Sequence, residues 1–509
     1  MKILSRRSFL KTSAQATALG LAAPVFPAGW YSLKNGELAG YFESEFGITD
    51  TMNRRVLSQA LAKGGDFADL FFEHTITNYL ILEDGKVNQA FSNVSLGVGV
   101  RTVKGDQVGY GFTQQLEERD MLDAASTAAT IASGSATKPA GKFVLLKTKN
   151  HYPIEQLLTE VPIQSKVPLV QSINTKCFDR SKLVVKVNAG FYDQQKRIMV
   201  VTSDGIKAED LQPRTYLFTT VVAQKDGKLE RASWNLGGRK AFSYYTGEVV
   251  DEIAAKATDN ALVLFGAVQP PAGEMPVVLG PGITAVLLHE AIGHGMEADF
   301  NRKMESTYAT MIGKKVAEPF VNIIDDGTLP NLTGSINCDD EGTPGQRTAL
   351  VENGILTSYM HDKISARHYK VKPTGNGRRQ SYQHYIQPRM RNTVMLAGPH
   401  SPEEIISSVK KGIFVEDVAN GEVKIGEGDF AFYVSQGRMI ENGKLTKPIK
   451  DINIMGNGPK MLRETTMVGT DMKLYKGGGG ACGKGGQAVP CGFGQPSCLV
   501  KALTVGGVK

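Results

Sequence analysis

Long apolar runs are missing from this sequence. Beyond the N-terminus no stretch approaches the about eighteen consecutive apolar residues of a membrane-spanning helix, so the body of the chain carries no such span. An excess of one charge is missing too. The formal charge of +7 over 509 residues is modest, and it falls to +3 once the four cations of residues 1–28 (Lys2, Arg6, Arg7, Lys11), a stretch without acids, are set aside. That leaves no electrostatic case for nucleic-acid binding. No internal repeat or coiled-coil pattern is present, and no phosphate-cradling glycine motif follows a strand, so no nucleotide site is read here. The five cysteines are an odd number, which keeps at least one thiol outside intramolecular disulfides. Histidine is scarce, with eight in the chain.

Two of those eight fall together, in Ala285-Val-Leu-Leu-His-Glu-Ala-Ile-Gly-His-Gly-Met-Glu-Ala-Asp-Phe300. Val286, Leu287, Leu288 and Ile292 give the segment an apolar face, which brings His289, Glu290 and His294 to a low-dielectric wall. Neutral imidazole is a common zinc ligand, and a carboxylate beside a metal-bound water can take its proton. The spacing differs from HExxH by one residue. Histidines four apart diverge by about 40° around an ideal helix, and five apart by roughly 140°. A single-turn π-bulge, or helix termination at Gly293, brings both rings to one ion. A third ligand is still required. Glu297 and Asp299 are near in sequence, and Cys482 lies in the glycine-rich run Lys476–Gly486, which can approach a metal without steric cost.

The first segment reads as an address. Ser5-Arg-Arg-Ser-Phe-Leu-Lys11 resembles a twin-arginine export signal, followed by a weakly apolar stretch and small residues suited to cleavage near Ala22, Ala23 and Ala28. The expectation is export, to the periplasm; without the signal the chain would be cytoplasmic. Residues 29–150 predict an N-terminal α/β domain. Asp50 can cap its first helix, which runs to Lys63, and its strands cover Ala68–Thr75, Tyr79–Leu82, Lys86–Ser92, Leu96–Val103 and Val108–Thr113, with a helix over Met121–Ala132. Residues 151–266 predict a central α+β domain, with helices at Val167–Phe178 and Gly247–Leu264. Its strands are Leu183–Asn188, Lys196–Thr202, Leu217–Ala223 and Leu229–Ser233. After the linker Val268–Glu274, residues 275–509 predict a β-rich, barrel- or sandwich-like domain that carries the metal helix, from short apolar runs broken by Asp-Gly and Asn-Gly turns. Pro402–Lys411 reads as its one further clear helix. The whole is an α+β protein.

Other residues offer chemistry. Asp339-Asp340-Glu341-Gly342 could bind a cation or a substrate amine, or be a solvated acidic turn. Arg378, Arg379, Tyr382 and His384 could hold a peptide carboxylate or an oxyanion, or be surface groups. His74, His151, His361, His368 and His400 lack ligand-like company and read as structural. Cys177 reads as a buried small hydrophobe. A Cys491–Cys498 bridge would suit an oxidising compartment.

The HExxxH segment with Gly295-Met-Glu-Ala-Asp-Phe-Asn-Arg302 resembles the metal-binding helix of the TldD/PmbA family, on its TldD side. Matching stretches follow in order: Asp339–Gln346, Glu352–Leu356, Pro373–Arg379, Met467–Asp471 and Ala481–Pro490. The resemblance runs from about Asp50 to the C-terminus and is densest from Met275. It implies a zinc-dependent peptidase acting on extended, unstructured peptides. His289, His294 and Cys482 match the family's ligands, and Glu290 matches its catalytic base. It also implies a PmbA-type partner subunit or a homo-oligomer. A chain with the export signal departs from the family pattern, as does Cys491, which stands where an apolar residue is usual. The rival expectation is a non-catalytic subunit that binds a peptide or a partner.

Overall fold

The computed structural model describes residues 40–424 and 426–507; the twin-arginine-like segment 1–28 lies outside them. Long strands build the N-terminal half. Phe67–Glu83 pairs antiparallel with Lys86–Lys104 on one side and Val184–Thr202 on the other. Sequence patterning breaks each of these strands in two at a polar stretch, and the structure does not. Cross-strand bonds supply what local alternation lacks: Asn78 Nδ2 donates to Asp193 Oδ1 at 2.7 Å, and Gln194 Nε2 donates to Thr77 Oγ1 at 3.1 Å. The resulting sheet has seven strands, Gln107–Thr113, Lys86–Lys104, Phe67–Glu83, Val184–Thr202, Ile206–Lys225 and Val144–Leu145 in order, with Lys228–Gly238 also on Ile206–Lys225. Strands from both sides of the expected boundary at 150/151 are neighbours, so the first two expected domains share one sheet.

Alternate side chains take opposite faces of this sheet. Leu70, Phe72, Met199 and Val201 meet the helices Tyr41–Phe46, Asp50–Ala60 and Glu118–Ala129. Thr49, rather than Asp50, caps the second of these, accepting from Met52 N at 3.2 Å. Further along the sheet, Leu80, Leu82 and Phe191 pack with the helices Ile163–Arg180 and Gly247–Val263. Phe71, Ile198 and Val200 point the other way and meet Cys338 and Tyr382 of the C-terminal region. Buried charge completes that junction, where Arg101 pairs with Asp69 and, across the interface, with Glu341 at 2.6 Å.

The C-terminal region is β-rich, as its turn pattern predicts. Lys411–Lys424, Gly273–Leu279, Cys498–Gly507, Ile452–Asn457 and Asp429–Glu441 are successive neighbours, and the first pairs again with the last, so the strand order closes on itself. A second sheet runs Ile355–Leu356, Arg347–Glu352, Ile323–Asp326, Asn392–Met395, Gly492–Gln495 and Lys473–Leu474. The HExxxH segment packs into the main core of this region through Leu287, Leu288, Ala291 and Ile292. The helix at Pro402 stops at Ser407, because Lys411 already begins a strand. Two short helices escape the sequence reading, Lys363–Tyr369 capped by Asp362 and Gly458–Arg463 capped by Asn457. No helix among the described residues is long and apolar enough to cross a membrane.

Candidate metal centre

The extra residue between the histidines is absorbed by helix geometry. Val286–Leu288 is α-helical, His289–Gly293 is a π-helical turn and His294–Met296 is a 3₁₀ turn. The His294 N–H bonds to the His289 carbonyl, an i to i+5 closure that stacks residues five apart on one face. Gly293 is helical, with φ −58 and ψ −50. Its role is clearance: an added Cβ would stand 2.1 Å from Met390 Sδ. The two imidazoles consequently face one space, with ring centroids 5.4 Å apart.

That space is closed by the hairpin Ala481–Lys484/Gln487–Pro490, which brings Cys482 over the helix. Cys482 Sγ lies 3.2 Å from His294 Nε2, and Glu290 Oε2 lies 3.5 Å from the same nitrogen. Glu290 Oε1 is 4.0 Å from His289 Nε2. His289, His294 and Cys482 are buried, whereas the Glu290 side chain keeps 22% exposure and is the member reachable from outside. Cys491 joins the group, with Sγ 3.9 Å from His289 Nε2 and one ring nitrogen of His289 and both sulfurs all within 4.8 Å. The idea of a Cys491–Cys498 bridge therefore fails. All five cysteines are free, and Cys498 instead lies against Gln495 Nε2 at 3.8 Å.

The Cys482 thiol is held well below the usual thiol range, first by a hydrogen bond from Cys491 and, against burial, by the two imidazoles. The same bond, together with burial, pushes Cys491 well above it. Burial lowers the pKa of His294, but the Glu297 carboxylate and the Cys482 sulfur raise it well above the ordinary value. Two imidazole nitrogens and a thiolate converging in a buried pocket form a donor set suited to zinc.

Neither nearby carboxylate weighed as third ligand joins this cluster. Glu297 Oε2 sits 2.9 Å from His294 Nδ1, the far side of the ring, and 3.1 Å from Lys484 Nζ. Burial acts to raise the Glu297 carboxyl, yet Lys484 and His294 hold it below the usual range. Asp299 pairs with Lys484 at 2.7 Å.

A cavity of about 140 Å³ lies between the polar face of the N-terminal sheet and the C-terminal region, with Ala488 and Pro490 of the Cys482 hairpin in its wall. Asp339, Asp340, Arg378 and Arg379 line it, and His384 does not; His384 Nδ1 is 2.9 Å from Ser381 Oγ. Asp339 accepts from the backbone of Glu341, Thr343 and Gly377, and burial, then Glu341, raises its carboxyl to about 7. Asp340 accepts from Arg379 N at 2.7 Å, while the Arg379 guanidinium pairs with Asp69 at 3.1 Å. Arg378 donates to Met390 O at 2.6 Å, and burial lowers its pKa to about 10. Glu73, Lys196, Arg214 and Arg239 complete the charged lining; they come singly from in or beside strands far apart in the chain, so no local sequence pattern marks them.

A buried imidazole–thiolate cluster beside a carboxylate, set on an α+β fold, defines a candidate metallohydrolase. Comparison with known proteins narrows the class. The PmbA/TldA metallopeptidase domain 1, central domain and C-terminal domain match residues 68–132, 157–265 and 272–507. The chain belongs to this PmbA/TldA (TldD/PmbA) metallopeptidase family. It is 39% identical over 453 residues to a metalloprotease TldD homolog of Haemophilus influenzae, covering 87% of this chain and 93% of that one. It is 27% identical over 465 residues to a zinc metalloprotease TldD homolog of Saccharolobus solfataricus, covering 89% and 99%. The crystal structure of TldE from Thermococcus kodakarensis shares the fold with a TM-score of 0.69 at 18% identity, covering 90% and 99%.

Proposed function

We propose that this protein is a zinc-dependent peptidase that hydrolyses extended, unstructured peptides. The observation that carries the reading is the convergence of His289, His294 and Cys482 beside the Glu290 carboxylate, 3.5 Å from His294 Nε2. The names of the relatives support it. His289, His294 and Cys482 would hold a zinc ion, which when bound would supply a Lewis acid and a water of lowered pKa. Glu290 takes the proton of the attacking water on a carboxylate oxygen and returns it to the leaving amine. Glu297 fixes the His294 ring through Nδ1. In the neighbouring cavity Arg378 meets a peptide carboxylate or the developing oxyanion and Asp340 meets an amine, while Asp339 and Arg379 hold the loop through the bonds described above. His384 is assigned no contact.

Stripping the protein with a chelator and restoring zinc tests this reading. Hydrolysis of an unstructured peptide is expected to vanish and return, whereas peptide binding without hydrolysis at full zinc occupancy would favour a non-catalytic binding subunit. A partner subunit of the same fold, or a second copy, next to the site is proposed from what the family resemblance implies. Residues 1–28 are proposed to direct twin-arginine export to the periplasm. Changing Arg6 and Arg7 to Lys is expected to strand folded protein in the cytoplasm, and an unchanged exported fraction would refute it.

A further inference from the structure

The second sulfur at this centre has no part in the peptidase mechanism above. A buried cysteine is often just a small hydrophobe, and Cys177 and Cys498 fit that description: Cys177 lies against Ala254 O at 3.9 Å and Cys498 against Gln495, both clear of any imidazole. Cys491 differs. Cys482 pairs with Val489 across the hairpin, and Cys491, just past the strand end at Pro490, continues the burial alternation of Gln487 and Val489, so both sulfurs lie on the buried face. That face is the one opposite His289 and His294.

Two of the donor separations fit a shared ion. With metal–nitrogen and metal–sulfur bonds of ordinary zinc length, imidazole nitrogen and thiolate sulfur stand about 3.6 Å apart along a tetrahedral edge. The Cys482–His294 and Cys491–His289 contacts, at 3.2 and 3.9 Å, bracket that value. We propose that Cys491 is a second thiol donor of the metal centre, giving a resting set of two imidazoles and two thiolates. The proposal rests on the metal reading above. Four protein donors close a zinc site, whereas catalytic sites keep one position free. A water can join such a set only where one of the four donors gives up its place.

Replacing the metal with Co²⁺ in the full chain tests this, because thiolate-to-cobalt charge-transfer absorption scales with the number of bound sulfurs. Cys491→Ser and the apolar Cys491→Val should each keep one cobalt per chain and lower the band per cobalt by about half. Two variants guard against a folding defect in either. An unchanged band in both, together with its disappearance in Cys482→Ser, would make Cys482 the single thiolate donor and overturn the proposal while leaving the metal reading intact. A wild-type chain that takes up no cobalt would overturn both.

Discussion

Glu297 Oε2 stands 2.9 Å from Nδ1 of His294, while Cys482 Sγ stands 3.2 Å from Nε2 of the same ring. One imidazole is thus clamped between a carboxylate and a sulfur, which fixes both its orientation and the nitrogen it turns toward the centre. Lys484, from the same hairpin as Cys482, neutralises Glu297 at 3.1 Å and ties the C-terminal hairpin to the helix.

Glu297→Gln keeps the side-chain shape but removes the charge that orients His294. Metal affinity is expected to fall by about 10- to 100-fold with the fold retained. Cys482→Ser, which removes a donor, should lower affinity further. Competition with a chromophoric chelator measures both, and a wild-type affinity in Glu297→Gln would contradict the orienting role.

His74 supplies a pH test remote from the centre. Burial, and then Arg197, lower its pKa to about 4 from an ordinary 6.5, while Tyr41 Oη lies 2.7 Å from its Nδ1. A depressed folded value means the unfolded chain takes the proton first, so this contribution to stability is full above 6.5 and is lost as pH falls toward 4. Between pH 6.5 and 5 the wild type is expected to lose roughly 1.6 kcal/mol more than His74→Gln. Urea unfolding at the two pH values measures the difference. Parallel losses would show that His74 does not titrate this way.

The HExxxH segment was legible because an apolar flank, a fixed spacing and scarce histidines coincide there, and the odd spacing called for a π-bulge or a helix end at Gly293, of which His289–Gly293 adopts the first. The reason for Gly293 was not legible. Its backbone is ordinary helix, and what crowds the position is Met390, nearly a hundred residues away in the chain. Strand lengths were underestimated for a related reason, since Thr77, Asn78, Asp193 and Gln194 satisfy one another across strands rather than along them. The Cys491–Cys498 bridge that an oxidising compartment would suit does not form, and both thiols are free. Hairpin parity, counted from the Cys482–Val489 pair, is the signal that would have turned Cys491 toward His289.

The most direct test of the central claim is Glu290→Gln, assayed for metal and for hydrolysis in the same preparation. Glu290 stands beside the donor atoms but is not among the proposed ligands, so the variant should hold zinc at the wild-type stoichiometry. Without the base, peptide hydrolysis should fall by about 10²-fold or more. Near wild-type hydrolysis with zinc in place would contradict the account.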